Sequence, residues 1–282
     1  MEHSQTGLAI KRSLAIADSK FMINSFLAGA MRFSFKRDEP RVLDAEPTRT
    51  ECPELAGAEI AGVVHGKRVG GDFYQFARAT PQRVLFGLLD VAGAHTENRG
   101  IVAAANQTFR EKGPVCLASH ELNEADAMME FCHELNMTIV HAASGVRTCA
   151  AFVGCYNEDL GTFCYVNAGH TPALLRYKSD VSELAATGMP LGLFVGSTYE
   201  APIAAVPQGG ALLLVSRGVV EAAHKKEEFG MQRLKQQFES TPLTSAHAVA
   251  SAALQAVRQY AKSGAQQNDL TTLALVRPGT SR

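Results

Sequence analysis

The sequence lacks a strong charge of either sign. Lys and Arg number 27 and Asp and Glu 28, for a formal net charge of −1 at pH 7. Nothing in that balance advertises nucleic acid or an anionic membrane surface as a partner, although a local basic patch is compatible with it. No apolar run is long enough to span a bilayer. The nearest candidate, Phe21 to Met31, has Lys11, Arg12 and Lys20 before it and so faintly resembles a signal peptide. Asp18 and Lys20 interrupt its upstream part and no convincing cleavage site follows, so it reads as helix. Internal repeats and low-complexity tracts are absent. So are CxxC pairs and any Cys/His set with zinc spacing, although the chain holds Cys52, Cys116, Cys132, Cys149, Cys155 and Cys164. Several of these sit in apolar runs such as Thr148-Cys149-Ala150-Ala151-Phe152. That pattern predicts buried, reduced thiols and a cytoplasmic protein.

What is present is ordinary globular material. Hydrophobic residues make up 46% and charged residues 20% of 282, enough apolar surface for a sizeable core. Leu14, Ala17, Phe21, Ile23, Phe26, Leu27 and Met31 recur at three- and four-residue steps, which predicts a helix over residues 8–32. Charged residues with Pro40, Pro47 and Pro53 then give a linker composition. The expected organisation is a helical appendage at 1–35, a linker at 36–54 and a main domain at 55–278.

Within the main domain strands dominate. Glu59 to Val64 and Phe73 to Ala77 are short candidates. Arg83 to Val91 is a continuous apolar run, as expected of a strand buried on both faces. Helices are predicted over 99–112 and 121–143. Thr148 to Tyr156 and Thr162 to Asn167 form a predicted hairpin around Asn157-Glu158-Asp159-Leu160-Gly161. Ala173 to Tyr177, Ala211 to Val215 and Leu270 to Val276 are further strands, and 229–238 and 244–262 further helices, the last with Ser245 near its start. Strands, two helices, strands, helices and a strand argue for an α+β fold rather than alternating βαβ units.

The chemistry-bearing residues gather where strands stop. Asp72 follows Gly70-Gly71, whose missing side chains permit unusual backbone angles and close approach of another group. Asp90 closes the most apolar strand, and Asp269 immediately precedes the last one. One reading of Asp72 is a turn whose carboxylate caps its own backbone. The other is an oxygen ligand for a hard divalent cation. Carboxylates emerging together at one end of a sheet can share two metal ions that activate water and stabilise in-line displacement at phosphorus.

Six stretches together resemble the PPM family of metal-dependent protein serine/threonine phosphatases, in its SpoIIE/RsbU-like bacterial branch. They are Val69-Gly70-Gly71-Asp72-Phe73-Tyr74, Leu89-Asp90-Val91-Ala92-Gly93, Thr148-Cys149-Ala150-Ala151-Phe152, Tyr165-Val166-Asn167-Ala168-Gly169-His170-Thr171-Pro172, Gly188-Met189-Pro190-Leu191-Gly192 and Phe229-Gly230. The resemblance implies a β-sandwich of two antiparallel sheets flanked by helices, with a two-metal Mn²⁺ or Mg²⁺ centre at one end. It implies hydrolysis of phosphoserine or phosphothreonine by bound water, the usual substrate in this branch being a phosphorylated anti-sigma antagonist protein. Asp72 and Asp90 fall on catalytic metal-ligand positions, and the backbone carbonyl of Val91 on another. The N-terminal helix is then expected to serve homodimer formation or docking.

The chain departs from that pattern at two ligand positions. Ser216-Arg217-Gly218 stands where the family has Thr-Asp-Gly, and Asn268-Asp269-Leu270-Thr271 where it has Asp-Asp-x-Thr. Arg217 cannot deprotonate and should oppose a neighbouring cation. Asn268 leaves one neutral oxygen, and Asp269 is the candidate substitute ligand. Alternatively, Arg217 pairs bidentately with Asp72 or Asp90 and takes the metal's place. The sequence therefore leaves two readings open: a phosphatase-fold regulator with weak or lost hydrolysis, and an active Mn²⁺- or Mg²⁺-dependent phosphatase. His95 reads as an exposed loop residue, His170 as structural, and Glu221 as a support for the turn after Arg217.

Overall fold

Alternate residues of Arg83–Val91 point to opposite sides of a sheet, yet nearly all of them are buried. In the computed structural model, Leu85 and Leu89 pack on a helical layer while Phe86 and Leu88 pack on a second sheet. That two-sided burial generates the architecture. The structure describes residues 48–49, 52–66, 71–93, 95–119, 123–143, 145–261 and 269–279. The expected N-terminal helix, most of the expected linker, Gly70 and Asn268 lie outside them.

The elements in chain order are β1 (Thr48–Arg49), β2 (Glu59–His65), β3 (Asp72–Thr80), β4 (Arg83–Val91), α1 (His95–Cys116), α2 (Glu124–Ala142), β5 (Cys149–Asn157), β6 (Thr162–Ala168), β7 (Ala173–Tyr177), β8 (Asp180–Leu184), β9 (Ile203–Ala205), β10 (Gly210–Val215), α3 (Arg217–Glu221), β11 (Ala223–His224), β12 (Glu227–Glu228), α4 (Gly230–Ser240), α5 (Ala246–Ala261) and β13 (Leu270–Arg277). One sheet has the order β1-β2-β13-β10-β7-β8 and the other β3-β4-β5-β6-β9. Every strand pairing in both is antiparallel. Phe86, Phe152, Tyr165, Leu212, Leu214 and Leu273 fill the space between the sheets, with Phe152 stacked on Tyr165 at 5.1 Å. Phe109 of α1 and Phe131 of α2 cover the five-stranded sheet, and Leu234, Phe238, Val249 and Leu254 of α4 and α5 cover the other.

The expected β-sandwich with flanking helices is therefore the observed fold. The hairpin forms as predicted, because Asn157 Oδ1 accepts the N–H groups of Asp159 and Leu160 while Gly161 takes φ +67°. Two boundaries shift for local reasons. The helix expected from residue 121 starts at Glu124, since Asn123 Oδ1 caps it by accepting from Ala125 and Asp126. The six-stranded sheet begins inside the stretch read as linker, since Thr48 and Arg49 pair with Val64 and Val63.

Candidate functional site

Asp72 is the first residue of β3, Asp90 lies one residue before the end of β4, and the pairing register sets the two directly opposite. Gly71 makes this possible. A Cβ at Gly71 would lie 2.0 Å from the carbonyl oxygen of Val91, and the Gly71 carbonyl itself accepts the Val91 N–H at 3.3 Å. The close approach expected of the double glycine is real, and only glycine permits it at Gly71.

The opposite wall comes from the other sheet. Thr271 of β13 donates its hydroxyl to Asp72 Oδ2 at 3.2 Å. Its backbone N–H donates to Ser216 Oγ at 3.1 Å, and its carbonyl accepts the Ser216 N–H at 2.8 Å. Ser216 Oγ also contacts the carbonyl of Asp269 at 3.5 Å, and Asp269 is 1% exposed. Both sheets thus converge on Asp72. Burial holds its carboxyl well above the usual carboxylate range, the charge of Asp90 adds to the effect, and that of Asp269 adds less. Ser216 acts in the opposite direction. Opposed carboxyls with a strained proton balance are what a divalent cation relieves, so the donor set fits one such ion between Asp72 and Asp90.

The turn after Asp90 is clamped by Asn98, a fully buried residue of α1. Its Nδ2 donates to the carbonyls of Val91 at 3.0 Å and Ala92 at 3.2 Å. One lone pair of the Val91 carbonyl remains for another partner. Gly93 turns the chain at φ +114° toward α1. His95 is not in a loop, as the sequence suggested, but opens that helix, and its side chain lies outside the described atoms.

Arg217 does not form the bidentate pair that the sequence allowed. Its Nε lies 4.0 Å from Asp90 Oδ2 and 3.6 Å from Glu221 Oε1, beyond hydrogen-bond length, and its side chain is 59% exposed. The reason is local: Arg217 and Glu221 occupy positions i and i+4 of α3, so Glu221 draws the guanidinium toward the rim. Glu221 therefore faces Arg217. Burial raises its carboxyl above the ordinary value, and the guanidinium partly offsets this. Among the described residues, no three His, Cys, Asp or Glu side chains converge on a common metal position.

Beside Asp90 lies a cavity of about 190 Å³, lined also by Thr148, His170, Thr171, Pro190 and Arg217. His170 makes the backbone contacts expected of it. Its N–H donates to Asn167 Oδ1 at 2.8 Å and its ring Nδ1 to the Thr171 carbonyl at 3.1 Å. Burial lowers its affinity for a second proton, which the Thr171 contact and Asp90 only partly offset. Of the sequence candidates, Asp72, Asp90 and the Val91 carbonyl come together, Asp269 sits beside them, and Arg217 stands at the rim. Ser216 and Asn98 were not anticipated. Their only signal was a small polar residue at a strand end or first helical turn, which has many other uses.

This geometry has relatives. Residues 80–278 match the family model described as Stage II sporulation protein E (SpoIIE). The phosphoserine phosphatase RsbP of Bacillus subtilis (strain 168) is 25% identical over 154 residues, covering 54% of this chain and 37% of RsbP. The chain thus spans little more than a third of that curated relative. The SiaA PP2C domain of Pseudomonas aeruginosa superposes with a TM-score of 0.65 at 17% identity, covering 77% of this chain and 85% of that domain. The RsbU and RsbW domains of a Mycobacterium tuberculosis protein give a TM-score of 0.65 at 20% identity, covering 82% of this chain and 64% of that one. These structural likenesses concern the fold, and the family match covers most of the sequence. The chain belongs to the SpoIIE family and carries the RsbU-like form of the PPM phosphatase fold.

Proposed function

We propose that this chain is a partner-switching regulator that binds a phosphorylated protein of the anti-sigma antagonist type and hydrolyses its phosphoserine or phosphothreonine weakly, with Mn²⁺ or Mg²⁺. The observation that carries this reading is the position of Arg217, 4.0 Å from Asp90 and more than half exposed. Unit charges at 4 Å interact by about 4 kcal/mol at an effective dielectric near 20 and by about 1 kcal/mol in bulk water. With this much solvent around Arg217 the lower figure is the better guide. The guanidinium therefore weakens cation binding without closing the site.

Asp72 and Asp90 would hold the ion, with the Val91 carbonyl and Asp269 beside them. A bound ion supplies an activated water and neutralises phosphoryl charge. The chain's own contribution is placement. Asn98 fixes the turn after Asp90, and Thr271 fixes the Asp72 carboxyl. The cavity beside Asp90 has room for a phosphoryl group, and the guanidinium that opposes a metal suits phosphate oxygens. In this reading 55–278 is the phosphatase-fold domain, with its sheet extended by Thr48 and Arg49. Residues 36–54 connect it to a segment, 1–35, that serves dimerisation or docking.

The test is Mn²⁺-dependent hydrolysis of a phosphoserine peptide and of p-nitrophenyl phosphate. The native chain is compared with Arg217→Asp combined with Asn268→Asp. Slow native turnover and a faster double variant are expected. Native turnover equal to that of the variant would overturn the reading of the site.

A further inference from the structure

Among the described residues, the exposed large hydrophobic side chains fall into two groups. Val115, Leu160, Tyr177 and Ile203 stand on four different elements, α1, the β5–β6 turn, β7 and β9, as scattered surface residues ordinarily do. Val146, Met189, Phe194 and Val195 are 51–73% exposed and sit on two segments, 145–148 and 188–197, that the backbone ties together. Leu191 and Cys149 exchange N–H···O bonds of 2.9 and 2.8 Å. Gly192, at φ +79°, comes so near the carbonyl oxygen of Arg147 that a Cβ would lie 2.3 Å from it.

Both segments also reach the cavity beside Asp90, through Thr148 and Pro190. Met189 is the chain neighbour of Pro190, Val146 is two residues from Thr148, and Phe194 is four residues from Pro190. A chain advances at most about 3.6 Å per residue, which puts the Val146 Cα within about 7 Å of that of Thr148 and the Phe194 Cα within about 14 Å of that of Pro190. Four residues of an extended peptide leaving the cavity cover the same distance.

The apolar tip is built on a fixed support. Asn136, fully buried in α2, accepts the Gly192 N–H at 2.8 Å and donates Nδ2 to the Phe194 carbonyl at 3.0 Å. Ser197 donates its hydroxyl to the same carbonyl at 3.0 Å, closing the turn that displays Phe194 and Val195. Apolar anchors on a backbone that is already ordered cost less to engage than anchors on one that must order on binding. What covers them follows from the charge at the mouth of the cavity. Arg217 lines that cavity, is more than half exposed, and suits phosphate oxygens. A phosphoryl group seated there brings its own polypeptide across the segments beside it.

We infer that Val146, Met189, Phe194 and Val195 form a docking rim for the phosphorylated partner, and that this rim selects a polypeptide with apolar side chains within about four residues of its phosphoserine or phosphothreonine. The inference rests on the phosphoryl seat of the proposed function and adds the chemistry of the polypeptide around it.

The test is peptide binding to the full chain in Mn²⁺, followed by fluorescence anisotropy. The probes are labelled peptides whose central residue is the non-hydrolysable phosphonate analogue of phosphoserine, with either leucine or serine at the second and fourth positions on each side. The leucine peptide should bind at least about tenfold more tightly than the serine peptide. Met189→Ser combined with Phe194→Ser should weaken the leucine peptide at least about fivefold and leave the serine peptide within about twofold. Val115→Ser, on α1, should change neither. These side chains are exposed, so their replacement leaves the core intact, and the comparison of peptides on the wild type needs no variant. Equal binding of the two phosphonate peptides would overturn the inference while leaving the phosphoryl seat standing, and so would an unchanged affinity in the folded double variant. Equally tight binding of a leucine peptide with plain serine at its centre would overturn it too, by separating the rim from the seat. A double variant altered only in its sedimentation would assign the patch to a second copy of this chain instead. Binding of neither phosphonate peptide would overturn both the inference and the phosphoryl seat.

Discussion

Replacing Asp72 by Asn should stabilise the metal-free protein. Asp72 and Asp90 are directly opposed on neighbouring antiparallel strands, where Cβ atoms stand about 4.5–5.5 Å apart. Two unit charges about 5 Å apart repel by roughly 3 kcal/mol at an effective dielectric near 20. Asn removes that repulsion and the cost of burying a charge, and its amide oxygen can still accept the Thr271 hydroxyl. For a domain of this size about 2–3 kcal/mol corresponds to a rise in Tm of roughly 4–12 °C.

The pH dependence provides an independent check. Burial and Asp90 raise the folded pKa of Asp72 above its unfolded value of about 3.9. The folded state therefore binds this proton more tightly than the unfolded state. The associated stability is present below the unfolded value and is lost as pH rises through the raised folded value. The advantage of Asp72→Asn should accordingly be small near pH 4, grow with pH, and level off above the folded pKa. Thermal unfolding followed by circular dichroism in EDTA, from pH 4.5 to 8, measures it. Saturating Mn²⁺ should reverse the order, because the wild type keeps both carboxylates and gains more from the ligand. A variant less stable than the wild type at pH 8 in EDTA, or an advantage independent of pH, would refute the reasoning.

Two further outcomes follow from packing. Gly71→Ala forces a Cβ to within 2.0 Å of a backbone oxygen that cannot rotate away. It should cost about 3 kcal/mol, read as a lower urea midpoint, and an unchanged midpoint would show that β3 and β4 do not approach as described. Cys132, Cys149, Cys155 and Cys164 are buried and Cys52 and Cys116 partly exposed. Since burial pushes the Cys155 thiol up to about 12, a disulfide reagent at pH 8 should reach only Cys52 and Cys116 in the native protein, and the others after guanidinium is added. Fast reaction at any of the four in the native state would contradict the burial.

The parts of the fold legible in the sequence are those where local chemistry and tertiary burial agree. The run Val84 to Leu89 announces burial on both faces, the turn Asn157 to Gly161 contains its own hydrogen bonds, and Ser245 accepts the N–H of Ala248 at the start of α5. Two edge strands, β8 and β9, were not legible. β8 has one buried residue, Val181, among exposed and half-buried ones, and β9 is only three residues long, so neither carries a readable strand pattern. At the site, the acids at strand ends could be listed from the sequence, but the register that opposes Asp72 to Asp90 could not, because pairing is settled by the whole sheet. Arg217 shows both sides of this. Its charge was evident, whereas its turn toward Glu221 was available only in the i, i+4 spacing of a helix too short to be read. Ser216 and Asn98 act through tertiary contacts, among them Ser216 with Thr271 across 55 residues and Asn98 with Val91 across 7, which no local pattern encodes.

The two unusual features of the centre act on different links between sequence and function. Arg217 lies on a five-residue helix with most of its side chain in solvent. Its charge therefore bears on ligands near Asp90 while contributing little to packing. Asp72 is held between two sheets, by β4 through the backbone of Gly71 and by β13 through Thr271. Its charge bears directly on folding. Without a cation the opposed acids oppose the pairing of β3 and β4 that positions them, and on the proposed reading a bound cation would hold those two strands together at this end. On the proposed reading, metal affinity and fold stability are coupled through Asp72. An exposed guanidinium worth about 1 kcal/mol can lower that affinity severalfold while leaving the coupling itself in place. On the proposed reading, such a centre would lose catalytic strength through the rim before it lost the structural role of its buried acids.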